Sequence, residues 1–148
     1  MKAITFRDSG PDGGLEAVVE TRPLPKLRAG YFLVKVVAVA LNPADLLVMD
    51  FKVAVPGSLA GCDYAGTIVE IGSDVQRDFK PGDRVCGCTR PADPGQFENG
   101  TFAEYIVVKA DLQLRIPPGM GFEQAASLGV TTLTTGRCFV SPALHEGT

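Results

Sequence analysis

The sequence has a single histidine, no long apolar run and no strong excess of charge of either sign. His145 lies in the breaker-rich tail SPALHEGT, so no serine–histidine pair is available for nucleophilic catalysis, and we expect this histidine to be solvated. No apolar run approaches the roughly 20 residues that span a bilayer, which predicts no membrane segment. A net charge of −3 offers no basic footprint for nucleic acid or for an anionic membrane.

The first ten residues, MKAITFRDSG, become charged too early for a secretory signal, so we expect a soluble, cytoplasmic protein whose four cysteines are reduced. Cys86 and Cys88 form a C-x-C pair, whereas structural zinc sites more often carry duplicated C-x2-C pairs. We interpret the cysteines as small buried hydrophobic residues. Cys62 has no neighbour that would lower its thiol pKa, which argues against a nucleophilic role.

Glycine and proline are abundant instead, with 17 and 11 residues, and they favour short strands and turns over long helices. Several short apolar segments separated by Gly/Pro turns predict a mainly β domain, a barrel or a sandwich, over about residues 1–120. After Gly121 the composition becomes helical. The predicted helices cover residues 43–50, 122–128 and 131–139.

The strongest predicted strand is YFLVKVVAVALN, residues 31–42. One face carries Val34, Val36, Ala38 and Ala40, and the other carries Leu33, Val37 and Val39. Because both faces are apolar, we expect the strand to be covered on both sides for most of its length.

The next segment, NPADLLVMD, has the signature of a helix start. Asn42 suits the N-cap, Pro43 the first helical position and Asp45 the third, where its charge favours the positive end of the helix. Asp45 could be a general base or only this helix-start acid, and the second interpretation is favoured. Asp63, beside an apolar strand, is better explained as a buried, hydrogen-bonded carboxylate than as a catalytic group.

One segment imitates a cofactor motif. GMGFEQ, residues 119–124, begins like a dinucleotide fingerprint, but Gln124 stands at the third glycine position and RIPP precedes it instead of a buried parallel strand. No other phosphate-binding glycine loop is predicted.

Four segments taken together resemble the medium-chain dehydrogenase/reductases: VKVVAVALNPADLLV, GCDYAGTIVEIGSDVQRDFKPGDRV, GTFAEYIVV and IPPGMGFEQAASLGVTTLTTG. They cover about residues 1–138 in the order and spacing of that family, and the block 61–85 is specific. The similarity is closest to the zinc-independent quinone oxidoreductase branch. Within that branch, NPAD, GCDYAG and FEQAASL resemble the fungal trans-acting enoyl reductases that serve polyketide synthases.

The resemblance implies a GroES-like, partly open β-barrel with short helices over residues 1–120, followed over 121–148 by helices that lead into an NADPH-binding Rossmann domain. The family's active site is the cleft between the two domains. A Rossmann domain needs on the order of 100–150 residues, and the chain ends where that domain is expected to begin. We therefore expect a fragment or truncated product that is inactive alone, with an exposed apolar patch over the 122–140 helices and a disordered tail.

The resemblance also implies that no metal is bound. Zinc-dependent relatives carry cysteine at the position of Asn42 and a His-Glu pair at Cys62 and Asp63, and catalytic zinc needs three protein ligands.

By the same resemblance, Asn42 and Asp45 line or brace the cleft and Tyr64 lies near it. Thr134 matches a threonine at the nicotinamide end of the cofactor, although without the family it would be an ordinary helix residue. The enoyl reductases carry a lysine two positions after the helix aspartate, where this chain has Leu47.

Two functions follow from these expectations. The first is the substrate-side domain of an NADPH-dependent oxidoreductase that reduces an activated C=C bond in an enoyl (acyl) or quinone substrate. The alternative is a non-catalytic β-barrel module that binds a partner reductase or a polyketide synthase, with self-association through the apolar helices. A co-chaperonin shares only the barrel, and the block 61–85 is better explained by the reductases.

Overall fold

The computed structural model describes residues 1–10, 14–91 and 95–140, so the expectations for His145 and for the tail lie outside the described residues. The elements follow in chain order as β1 (Lys2–Asp8), β2 (Leu15–Thr21), β3 (Tyr31–Ala40), α1 (Pro43–Asp50), β4 (Asp63–Ile71), β5 (Arg84–Cys88), β6 (Tyr105–Lys109), a 3-10 turn (Ala110–Leu112), β7 (Leu114–Arg115), α2 (Phe122–Ala126) and α3 (Gly129–Val140).

The strands form two antiparallel sheets. β1 pairs with β2 along its whole length, and the second sheet has the order β6-β3-β4-β5-β7. The sheets are linked where the Ile4 amide donates a 2.8 Å hydrogen bond to the Phe102 carbonyl and where Ala3 forms a bridge with Ala103. The described strands do not close into a complete barrel, and the predicted mainly β, partly open fold is confirmed.

The main core lies against the inner face of the five-stranded sheet. Alternate residues of three neighbouring strands are fully buried there, because successive side chains of a strand point to opposite faces. They are Phe32 and Val34 from β3, Tyr64 and Ile68 from β4, and Ile106 and Val108 from β6.

The prediction that β3 is covered on both sides for most of its length is wrong for its second half. Val37 and Val39 are 52% and 44% exposed. β6 pairs with β3 only up to Lys35, and a β-bulge between Val36 and Ala38 interrupts the alternation. The α2 helix covers only the face that carries Ala38 and Ala40, so apolar character on both faces did not mean cover on both faces.

All three predicted helices are present, and the second and third have shifted ends. α1 has the predicted bounds, whereas the second and third helices run over Phe122–Ala126 and Gly129–Val140. In the described part of the chain, no helix combines the length and the apolar character needed to cross a bilayer. Residues 101–104, directly before β6, bridge β3 to β1, since the Glu104 amide donates to the Lys2 carbonyl and the Glu104 carbonyl accepts from the Val36 amide.

Gly61 has a structural reason to be glycine at the entry to β4. Its φ of +94° is a conformation that side-chain-bearing residues rarely adopt, and an added Cβ would run into the ring of Phe102. The tight turn at Gly61 brings Cys62 and Asp63 into the sheet beside the end of β3, where Asp63 pairs with Ala40.

Candidate functional site

The start of α1 is held by a reciprocal pair of hydrogen bonds. The backbone N–H of Asn42 donates to Oδ2 of Asp45 at 2.7 Å, and the backbone N–H of Asp45 donates to the Asn42 carbonyl at 3.0 Å. The first of these bonds, from the N-cap backbone to the side chain of the third helical residue, is typical of a capping box. Asp45 is buried, so its carboxylate acts in the way expected of a helix-start acid.

Asp63 joins three separate elements. Its Oδ2 accepts a 3.0 Å hydrogen bond from Nδ2 of Asn42, and its Oδ1 accepts a 2.8 Å hydrogen bond from the backbone N–H of Val130. The carboxylate is 1% exposed and therefore relies on these two donors instead of water. We call Asn42, Asp45, Cys62, Asp63 and the Val130 amide the Asp63 cluster.

The Val130 amide belongs to the first turn of α3, where free backbone N–H groups point outward and the helix dipole favours a negative charge. The close approach depends on Gly129. An added Cβ there would collide with Oδ1 of Asp63 and would lie 2.5 Å from the carbonyl oxygen of Gly87. The sequence analysis identified Asp63 but missed Gly129 and the Val130 amide, because no sequence motif marks a backbone donor 67 residues away from its acceptor.

Burial sets the titration behaviour of the cluster. Desolvation raises the pKa of Asp63 above its ordinary value, and the negative charge of Asp45 adds to this, while the hydrogen bonds from Asn42 and Val130 act in the opposite direction. The pKa of Cys62 is raised strongly by burial and then by the neighbouring carboxylates of Asp45 and Asp63. The Cys62 thiol therefore stays protonated at neutral pH and is not an activated nucleophile.

The cluster does not have the chemistry of a zinc site. Zinc is bound by thiolates, neutral imidazoles and carboxylates, and a catalytic site needs three of them. The pKa values of Cys86 and Cys88 are raised by burial and then by Asp63, so these thiols also keep their protons. Among the residues that the structure describes, no three His, Cys, Asp or Glu side chains are grouped so that they could hold a metal ion.

Tyr64 does not join Asn42 and Asp45. It is fully buried in the main core, where its hydroxyl donates a 2.6 Å hydrogen bond to Oε1 of Gln113. Nε2 of Gln113 in turn donates to the carbonyl of Lys109 at 2.9 Å. The structure thus places Tyr64 in a buried polar chain that ties β4 to the end of β6, and sequence reasoning missed its partner Gln113.

Thr134 lies on α3, exposed to solvent. It follows Val130, whose backbone N–H donates to Asp63, by four residues, or about one helical turn.

The described residues offer no cradle for the pyrophosphate of a dinucleotide. Such a cradle is a glycine-rich turn between a parallel strand and a helix, and all strand pairs in residues 1–10, 14–91 and 95–140 are antiparallel. GMGFEQ follows the two-residue antiparallel strand β7 and runs into the five-residue helix α2, which differs from the parallel-strand context of a dinucleotide fingerprint.

Comparison with known proteins gives a consistent family assignment. Residues 28–118 match the family model described as alcohol dehydrogenase GroES-like domain. The chain is 50% identical over 124 residues to the trans-enoyl reductase resD of Aspergillus sclerotiorum, a match that covers 84% of this chain and 34% of that protein. The chain therefore spans about a third of the length of this relative.

Solved structures agree with the sequence match. The quinone oxidoreductase from Coxiella burnetii is similar with a TM-score of 0.72 at 32% identity, over 94% of this chain and 44% of that one. A mycobacterial protein solved in complex with NADPH is similar with a TM-score of 0.76 at 26% identity, over 96% of this chain and 42% of that one.

Proposed function

Because the chain belongs to the alcohol dehydrogenase GroES-like domain family, within the medium-chain dehydrogenase/reductases, we propose that it is the substrate-side domain of a zinc-independent, NADPH-dependent reductase. The proposed reaction is reduction of an activated C=C bond in an enoyl (acyl) substrate, with a quinone as the other candidate acceptor. A polyketide synthase is the proposed source of the acyl substrate. The similarity to a trans-enoyl reductase over 84% of the chain supports the enoyl substrate.

The hydrogen bond from Asn42 to Asp63 carries the zinc-independent part of the proposal. These residues, with Cys62, stand where the family resemblance implies the zinc ligands of metal-dependent relatives. Here the Asn42 amide and the Asp63 carboxylate satisfy each other, and the Cys62 thiol is protonated. The Asp63 carboxylate links the β3–α1 corner to α3 through these hydrogen bonds, and this supports the zinc-independent proposal.

The described residues could contact only the nicotinamide end of NADPH. When bound, it supplies the hydride that the reaction needs. The exposed hydroxyl of Thr134 is the group proposed to meet its nicotinamide end, and the described residues offer nothing that would hold the pyrophosphate. The role proposed for Asn42 and Asp45 is to brace the wall of the cleft, so that substrate and cofactor are held in a fixed orientation.

It follows that the 148-residue chain alone should not oxidise NADPH. The test is a chimera in which residues 1–140 replace the matching part of the Aspergillus sclerotiorum reductase. We expect the chimera to oxidise NADPH in the presence of an enoyl thioester, without added metal and without loss of activity in a chelator. The isolated chain, assayed in parallel, should show no turnover.

Two variants sharpen this experiment. Asn42→Leu in the chimera should lower kcat, because the cleft wall loses its link to α3, whereas Gln76→Leu, at an exposed position, should leave kcat unchanged. A folded chimera that binds NADPH but reduces no enoyl thioester, or one that needs zinc, contradicts the proposal.

A further inference from the structure

Gly100 lies between two backbone hydrogen bonds that anchor its segment to a neighbouring one. On one side, the amide of Leu59 donates to the carbonyl of Phe97 at 2.9 Å. On the other side, the amide of Thr101 donates to the carbonyl of Ala60 at 2.9 Å. The length of main chain between these two anchors is therefore set by the fold.

The packing around Gly100 excludes every larger residue. An added Cβ would lie 2.5 Å from the carbonyl oxygen of Leu59 and 2.7 Å from that of Ala60, and both are main-chain atoms. In the part of the chain that the structure describes, the Gly100 amide has no hydrogen-bond acceptor, although the residue is buried and most buried amides are paired. Asn99 is thus followed by a required glycine whose amide nitrogen is not held by a carbonyl group.

An asparagine in this setting can cyclise. The amide nitrogen of Gly100 attacks the side-chain carbonyl carbon of Asn99, a C–N bond forms, and the side-chain NH2 leaves with the Gly100 amide proton as ammonia. The product is a succinimide ring, which water opens at either carbonyl to give aspartate or isoaspartate, so water is the only co-reactant. Glycine favours the attack because it has no Cβ to obstruct it, and asparagine is a thermally labile residue.

The surroundings of Asn99 permit this reaction in the folded protein. Asn99 is partly exposed, and the four residues before it, 95–98, are exposed. Exposed loops open locally at a small cost in free energy, without unfolding of the core. The other asparagine of the sequence, Asn42, cannot react in this way, because Pro43 has no backbone N–H.

We propose that Asn99 is a modification site, at which the asparagine of the folded protein converts to isoaspartate and aspartate. Isoaspartate adds one methylene to the main chain between the two anchors and so disturbs the hydrogen bonds made by Thr101. The Thr101 amide also donates to the carbonyl of Gly61 at 3.1 Å, and the turn at Gly61 brings Asp63 into the sheet. The modification therefore loosens the entry to β4 and lowers the stability of the fold. This inference goes beyond the proposed function and does not depend on it.

The test is incubation of the 148-residue chain at pH 7.5 and pH 8.5 in heavy-oxygen water, followed by peptide mapping with mass spectrometry. We expect the peptide that contains Asn99 to gain one heavy oxygen, with release of an equal amount of ammonia and formation of isoaspartate. The reaction should be faster at pH 8.5, because the amide nitrogen attacks after it loses its proton. The incubated chain should melt at a lower temperature than the fresh chain.

Asn99→Gln is the matched control, because glutamine keeps the side-chain amide but must close a larger ring, which forms more slowly. This variant should release no ammonia from position 99 and should keep its melting temperature through the same incubation. The mass measurement on the parent chain needs no variant, so the test holds even where the substitution disturbs folding. A folded chain that stays unmodified while the urea-unfolded chain reacts overturns the proposal, and so does modification that leaves the melting temperature unchanged.

Discussion

Nδ2 of Asn42 donates a 3.0 Å hydrogen bond to Oδ2 of Asp63, across 21 residues of sequence. The other oxygen of the same carboxylate accepts from the first turn of α3. One buried acid therefore links two helices to the sheet, and substitutions at this acid, at its partners and in the neighbouring core test what these contacts contribute.

Replacing Asn42 with leucine should destabilise the fold. The variant keeps a side chain of similar size but leaves the buried Asp63 carboxylate with one donor, and an unsatisfied buried acceptor costs about 1–3 kcal/mol, with more for a charged group. We expect this loss in the free energy of unfolding, measured by urea denaturation. Gln76→Leu, at an exposed position, should change it by less than about 0.5 kcal/mol, and an equal effect of both variants would refute the role of the hydrogen bond.

Two glycines of α3 should respond to alanine in opposite directions. Gly129→Ala places a methyl group against Asp63 and the Gly87 carbonyl, so it should lower the melting temperature and detach the start of α3. Gly136→Ala meets no atom within 4 Å in the interior of the same helix, so it should stabilise by about 0.5–1 kcal/mol. Thermal melts of the two variants decide the point, and a stabilised Gly129→Ala would contradict the observed packing.

The raised pKa of Asp63 makes its contribution to stability depend on pH. The folded state holds the proton more tightly than the unfolded chain does, because burial disfavours the charged form. The contribution is thus fully present below the ordinary pKa of 3.8 and is lost as the pH rises through the folded value. The stability of Asp63→Asn relative to the parent chain should therefore increase as the pH rises above 3.8.

Asp83 provides a control of opposite sign. A hydrogen bond from the Lys80 amide, and then the Arg115 guanidinium, lower its pKa. Its stabilising contribution is fully present above the ordinary pKa of 3.8 and is lost as the pH falls through the lower folded value. Asp83→Asn should therefore be less stable than the parent chain above pH 3.8, and this difference should shrink as the pH falls below 3.8. Urea titrations between pH 3 and pH 7 measure both variants, and parallel pH profiles would disprove the assignment.

Tyr64→Phe tests the buried polar chain in the core. Removing the hydroxyl leaves Oε1 of the buried Gln113 without its 2.6 Å donor, so we expect a loss of about 1–3 kcal/mol in the free energy of unfolding. Tyr105→Phe on β6 is the matched control, because Tyr105 is only partly buried, and it should cost less. A neutral Tyr64→Phe variant would show that the hydrogen bond adds nothing to stability.

Local sequence patterns predicted the elements of this fold well. The N-cap at Asn42, the proline at the first helical position and the acid at the third fixed the bounds of α1, because these signals act within one helical turn. The interpretation of Asp63 as a buried, hydrogen-bonded carboxylate also agrees with its geometry. The exposed second half of β3 could not be predicted, since cover depends on which distant elements pack there.

The sequence by itself determined the β-rich fold, the helix starts and, through its family resemblance, the kind of enzyme to which the chain is related. Only the tertiary structure decided that the Val130 amide completes the partners of Asp63, that Gly129 must be small and that Tyr64 belongs to the core. Helix starts and turns are set by contacts a few residues apart, which the sequence displays directly. The environment of a buried side chain is set by residues far along the chain, and only folding brings those residues together.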